Sequence, residues 1–231
     1  MEAIAPASVI ILGGTGSVSQ AIQDSLEADA NVVRIGGTNR YETSANVAME
    51  LYPSGVDTVY IASGENGAFA DSLSGGALAG SEGAPVLLTR GDRVEDSTQA
   101  ALDYLGAENV VVLGGKSSVE PAVYDAVGAT DRLSGDNRYL TAVAITQAYD
   151  AEQPKTFLAS GNAWPDALAG AGLAGYEGVP MLLTNTASVP DSVMGELDRL
   201  SPAGVTILGG TAVVSQEVED ALNVALPAWA E

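Results

Sequence analysis

"VYIASGENGAFADSLSGGALAGSEGAPVLLT", residues 59–89, returns as "TFLASGNAWPDALAGAGLAGYEGVPMLLT" at residues 156–184, and this repetition decides the fold. Each copy opens on an apolar run, breaks at Ser-Gly, resumes as a segment of small residues and closes on a second apolar run ending in Leu-Leu-Thr. The first copy carries two extra residues between Gly64 and Asp71. Short apolar runs bounded by turn residues read as strands buried on both faces, and the small-residue segment between them reads as a helix. Self-similarity at a long, fixed spacing marks a chain of repeated structural units.

Outward from that stretch the repetition widens. "RIGGTNRYET" begins at Arg34 and "RLSGDNRYLT" at Arg132; "NVVVLGGKSSVEPAV" (109–123) pairs with "GVTILGGTAVVSQEV" (204–218); and "SVIILGGTGSVSQAI" (8–22) is a third copy of that last element. The chain therefore divides into a partial unit, 1–33, a full unit, 34–131, and a second full unit, 132–231. Each full unit reads as four β/α steps. In the first, strands are expected at 31–35, 57–62, 84–89 and 109–113, and helices at 40–51, 71–81, 95–105 and 118–127. Alternating strands and helices imply parallel sheets with right-handed crossovers. The expected fold is α/β, two three-layer modules with helices on both faces of each sheet. Residues 1–33 are expected to pack onto a full module and supply one of them with an extra β/α step.

Composition removes several classes of function. Against 30 acidic residues stand 9 basic ones, for a net charge of −21, so nucleic acid and anionic membrane surfaces are repelled. Two readings of the charge stand side by side: a solubilising surface, or a halophilic protein, since in molar salt the Debye length falls to ~3 Å and carboxylate repulsion is screened. No apolar run reaches the roughly 20 residues that span a bilayer. The opening Met1-Glu2-Ala3-Ile4 is acidic where a signal peptide is positive, so any export signal is expected to lie outside this sequence. Cysteine and histidine are both absent. That excludes disulfides, thiolate chemistry and the usual histidine-dependent triads and zinc sites. No catalytic residue, metal site or cofactor is assigned.

Several recurring elements are candidates for sites. The strand-to-turn stretch Ile11–Gly16 has the look of a phosphate-cradling loop. Only its glycine pair recurs, as Gly13-Gly14, Gly114-Gly115 and Gly209-Gly210, without the third glycine of a dinucleotide fingerprint or the spacing of a Walker loop, so a tight strand-to-helix turn is the expected role. Ser63 and Ser160 stand at strand ends, where parallel sheets bind ligands. Their Ala-Ser-Gly context is not that of a nucleophile elbow, and a hydroxyl that orders the turn or caps the next helix is the other reading. Asp71 and Asp166 recur where an apolar helix begins, and capping is favoured over catalysis or metal binding. Phe69 and Trp164, two residues earlier, are either hydrophobic anchors or the lining of an exposed groove.

The most specific feature is Asn39-Arg40-Tyr41 with Asn137-Arg138-Tyr139, each preceded six residues earlier by an arginine, Arg34 or Arg132. Of seven arginines in the chain, four occupy matching positions in this motif. One reading is structural, an arginine–carboxylate bridge with Asp71 or Asp166 as partner. The other makes all eight residues the lining of a pocket for an anionic or sugar ligand.

Together, R-x-x-G-x-N-R-Y-x-T, the ASG…(F/W)-(P/A)-D-(A/S)-L segment, (A/V)-P-x-L-L-T and the V-x-L-G-G ending resemble the type 2 cell wall binding repeat of bacterial and archaeal surface proteins. The resemblance runs from residue 8 to about 226. It implies a non-catalytic surface or secreted module, Toprim-like or Rossmann-like, that holds a protein to the envelope by noncovalent binding of a wall polymer or other polysaccharide. The expected partners are that polymer and either neighbouring repeat modules, which members commonly carry in threes, or further copies of the chain. A self-assembly module that reads no glycan, and a sugar- or nucleotide-acting enzyme, are the alternatives.

Overall fold

The computed structural model describes residues 5–225 of the 231. The acidic start, Met1–Ile4, lies outside the described residues.

Among the described residues all strand pairings are parallel. The first unit builds its sheet from β3 (Thr58–Ser63), β4 (Val86–Thr89) and β5 (Asn109–Leu113), with a fourth strand, β6 (Asp131–Leu133), in the order β4-β3-β5-β6. The second unit places β7 (Thr156–Ser160), β8 (Met181–Thr184) and β9 (Val205–Leu208) in the order β8-β7-β9. The middle strands β3 and β7 are nearly continuous in apolar character because each is covered on both faces; every residue of β7 is buried.

The sheets do not begin where the repeats begin. Arg132 pairs with Val112, so the short strand that opens the second unit by sequence closes the sheet of the first. The same handover occurs upstream, where β2 (Asn31–Ile35) pairs with β1 (Ser8–Leu12) through Arg34 and Ile11. The described part of residues 1–33 thus joins neither large sheet: β1 pairs with β2 alone, with α1 (Gln20–Glu27) between them, whereas its counterpart β5 pairs with β3 as well as with β6. The expected repeat boundaries at 34 and 132 fall inside strands.

Helices α2 (Arg40–Leu51), α4 (Asp96–Leu105) and α5 (Pro121–Ala126) cover one face of the first sheet through Ala45, Ala48, Leu102, Leu105 and Val123. On the other face α3 (Phe69–Glu82) lies over Tyr60, Ala62 and Leu113, joined by Ile145 of α6 (Arg138–Thr146). In the second unit α7 (Trp164–Glu177), α8 (Asp191–Leu200) and α9 (Gln216–Ala225) enclose β7 and β8. That core takes in Ala70, Leu73 and Ala77 of α3, so the interior of the second unit is shared with a helix of the first.

Among the described residues the most extensive contact between units is made by α3 and α7, and their small residues allow its close approach. A Cβ added to Gly80 would lie 2.9 Å from the Cα of Gly175, and one added to Gly175 would lie 2.9 Å from the Cα of Gly80. The two helix backbones touch at that point, which side chains larger than hydrogen do not permit. Both helices extend slightly beyond the expected 71–81 and its counterpart, since Phe69 and Trp164 already lie in the first turn.

Candidate functional site

Asn39 and Asn137 start the helices that carry the Asn-Arg-Tyr motif. The side chain of Asn39 accepts from the Glu42 N–H at 2.9 Å, and that of Asn137 accepts from the Tyr139 and Leu140 N–H groups at 3.0 Å each. These are N-caps. Capping fixes the first helical residue, and from there Arg40 and Arg138 reach the loop after the middle strand. Arg40 Nη1 donates to the Gly64 carbonyl at 2.6 Å and to Asn66 Oδ1 at 3.3 Å; Arg138 Nη1 donates to the Gly161 carbonyl. Tyr41 is buried beneath Gly64, and Tyr139 packs in the same way beneath Gly161, its hydroxyl bonded to Asn185. The hydroxyls of Ser63 and Ser160, both buried, accept from the N–H of Glu65 and Asn162 at 3.3 and 3.2 Å and so shape the same loops.

Those loops deliver two aromatic residues side by side. Phe69 begins α3 and Trp164 begins α7, with ring centroids 5.9 Å apart and planes tilted by 40°. At the N-terminal ends of α3 and α7 lies a groove of about 370 Å³ lined by Arg40, Asn66, Phe69, Arg138, Asn162 and Trp164. None of its lining residues is a carboxylate, on a chain that carries 30 of them. The Arg40 guanidinium lies over the Phe69 ring at 5.3 Å, while Trp164 remains 52 % exposed.

A smaller cavity, about 130 Å³, shares Gly67, Ala70 and Arg138 with the groove and has Asp71, Ser118 and Thr141 on its wall. Asp71 sits in the first turn of α3, whose cap position is Ala68, and its carboxylate turns toward the Gly114 turn, where Ser118 Oγ donates to it at 3.0 Å. Asp166 lies in the first turn of α7, after Ala163 at the cap, and its carboxylate faces Gly209. Burial raises the Asp71 carboxyl above the ordinary carboxylate range, opposed by bonds from Ser118 and Thr141 and by the charge of Arg138. A carboxylate raised in this way contributes stability below its unfolded pKa of about 3.9 and loses it as the pH rises through the folded value. Asp71→Asn, which keeps one acceptor oxygen for Ser118, is therefore expected to gain on the wild type between pH 4 and pH 7. Urea unfolding of both proteins at the two pH values measures this, and a constant difference would contradict it.

The motif arginines form no ion pair among the described residues, where Arg90, Arg93, Lys155 and Arg199 supply those that occur. The expected arginine–carboxylate bridge is thus replaced by bonds to backbone carbonyls, with Arg138 acting on Asp71 only through its field. Arg34 and Arg132 do not line the groove. Arg34 donates to the Gly13 carbonyl at 2.8 Å and to Gln23; Arg132 donates to the Gly114 carbonyl at 2.6 Å and lies over the Tyr124 ring at 5.1 Å. Each ties the strand it sits on to the glycine turn of the strand beside it. In those turns Gly13, Gly114 and Gly209 have φ of +108°, +101° and +113°, a region that favours glycine. Gly14, Gly115 and Gly210 follow, each carbonyl accepting the N–H groups three and four residues on, as the next helical step requires. Of the eight motif residues, then, the groove takes only Arg40 and Arg138. It adds Asn66 and Asn162, which sequence reading passed over because the two-residue insertion shifts them out of alignment.

The model of the family described as cell wall binding domain 2 (CWB2) matches residues 34–124 and 132–219. The N-acetylmuramoyl-L-alanine amidase LytC of Bacillus subtilis (strain 168) is 29 % identical over 218 residues, covering 94 % of this chain and 43 % of the amidase. The amidase enhancer of the same organism is 28 % identical over 220 residues, covering 94 % of this chain and 30 % of the enhancer. Among solved structures, Cwp6 from Clostridium difficile superimposes with a TM-score of 0.86 at 27 % identity, over 96 % of this chain and 36 % of that one. The chain spans less than half the length of each of these relatives.

Proposed function

This chain belongs to the cell wall binding domain 2 family, and from that premise we propose that it is a non-catalytic attachment module, holding a protein at the cell surface by noncovalent binding of a wall polymer or glycan. One observation carries the reading. The two repeats converge on a single groove by supplying it with the same pair of features, an arginine and an asparagine with an aromatic residue beside them, and they leave it free of carboxylates on a chain of net charge −21. A fold brace alone calls for no exposed aromatic and no exclusion of acid from a solvent-facing groove. Among the described residues no helix is long and apolar enough to cross a membrane.

An enzymatic role for the recurring serines draws no support from their position, since both are buried and bonded to backbone N–H groups. The amidase activity of one relative belongs to a protein more than twice as long as this chain, and it is not carried over.

Co-sedimentation with isolated wall fractions, at low and high salt, tests the attachment reading. The wild type is expected to pellet with the walls, and the Arg40→Ala/Arg138→Ala double variant to bind at least tenfold more weakly while retaining its circular dichroism spectrum. A wild type that stays in the supernatant at both salt concentrations would overturn the reading, and oligomers seen by light scattering in that case would favour self-assembly.

A further inference from the structure

If the groove is where the wall polymer is held, as the attachment reading has it, its chemistry also selects the part of the polymer that enters. Its two ring faces are not equivalent. Phe69 has the Arg40 guanidinium at 5.3 Å from its centroid, so one face of that ring is already covered. Among the described residues no cation lies over Trp164, and the ring is 52 % exposed although it stands at the wall of a concave site and not on a protruding surface. The tilt of 40° between the rings gives the groove an angled floor, indole on one side and phenyl on the other.

Polar groups flank that floor on both sides. Asn66 accepts from Arg40 through Oδ1, which leaves its amide N–H groups for a ligand; the Asn162 side chain has no hydrogen-bond partner among the described residues. Arg40 and Arg138 are each anchored by one nitrogen to a backbone carbonyl, so their remaining N–H groups are held in place and lose little side-chain entropy on binding. An aromatic floor rimmed by fixed hydrogen-bond donors, in a volume of about 370 Å³, has the composition of a small-ligand site. A pyranose ring fits it in chemistry: one face of such a ring is a layer of C–H bonds, and its rim is a ring of hydroxyls.

We infer that the groove takes one sugar ring of the wall polymer, its C–H face laid on the Trp164 indole and its hydroxyls met by Asn66 and Asn162, with stacking and hydrogen bonds outweighing charge. The weighting follows from screening. Two guanidinium groups facing solvent lose most of their pull on a distant polyanion once the Debye length falls from about 8 Å at physiological ionic strength to about 3 Å at 1 M. They also act within a chain of net charge −21. Contact between a ring face and an indole is not screened at all. Trp164 is the specificity-determining residue in this arrangement.

The test uses walls stripped of protein and lipid by hot detergent and protease as the probe, with the wild type, Trp164→Ala and Trp164→Tyr, at 0.15 M and 1 M NaCl. The wild-type dissociation constant is expected to change less than threefold between the two salts. Trp164→Ala is expected to bind at least tenfold more weakly, and Trp164→Tyr, which restores an aromatic face, to return within threefold of the wild type. Thermal unfolding of all three establishes that the half-exposed position leaves the fold intact. If Trp164→Ala binds as the wild type does, the stacking inference fails while attachment stands. Binding that weakens tenfold or more in 1 M salt overturns the claim that stacking outweighs charge. A wild type that does not pellet removes the attachment reading, and this inference with it.

Discussion

Gly175→Ala is expected to destabilise the protein by about 1–3 kcal/mol, the usual cost of forcing an extra carbon into a well-packed contact. The added methyl would meet the Cα of Gly80 at 2.9 Å and the carbonyl oxygens of Ala77 and Gly76 at 3.2 and 3.4 Å, all of them backbone atoms that cannot rotate away. Relief requires the two helices to separate. Gly172→Ala supplies the control on the same helix. Nothing lies within 4 Å of its new carbon, and replacing glycine by alanine in an exposed helical position gains about 1 kcal/mol. Denaturant unfolding of the two variants should therefore give shifts of opposite sign. Equal shifts would mean that the α3–α7 contact is looser than its geometry indicates.

The larger loss is expected from Phe157→Ala, at about 3–5 kcal/mol. Phe157 is 1 % exposed, on the middle strand of the second sheet, paired with Met181 on one side and Thr206 on the other. Its core cluster includes Ala70, Leu73 and Ala77 of the first unit as well as the helices of the second. A cavity at that point is felt by both units, so the loss is expected as a single shifted transition seen alike by circular dichroism and by tryptophan fluorescence. Two separate transitions, with only one displaced, would show that the shared interior does not couple the units.

Much of this molecule is legible in one dimension. The apolar runs Val59–Ala62 and Phe157–Ala159 are strands because a chain segment buried on both faces must be apolar throughout, and that leaves a trace in the sequence. Asn39 and Asn137 stand out in the sequence only as recurring members of a motif, and the structure supplies their role, since each satisfies N–H groups of a helix start that the helix itself cannot. The Asn-Arg-Tyr motif is visible in the same way, but not the division of labour within it. Arg34 and Arg40 recur at the same spacing as Arg132 and Arg138, and periodicity treats all four alike. One pair ties strands to glycine turns and the other lines the groove, a difference that depends on which carbonyl each guanidinium can reach.

By itself, then, the sequence determined the kind of layers this protein has, the number of its repeats and the residues that recur in each. These follow from local physics, namely burial pattern, capping and turn geometry, which act between residues near in the chain. Only the tertiary structure decided that β6 leaves its own repeat to close the sheet of the one before, that Gly80 and Gly175 meet backbone to backbone, and that Phe69 and Trp164, 95 residues apart, share one groove. Those outcomes depend on how units pack against one another: the repeat marks Gly80 and Gly175, like Phe69 and Trp164, as equivalent positions 95 residues apart, but equivalence along the chain does not say that the two copies meet.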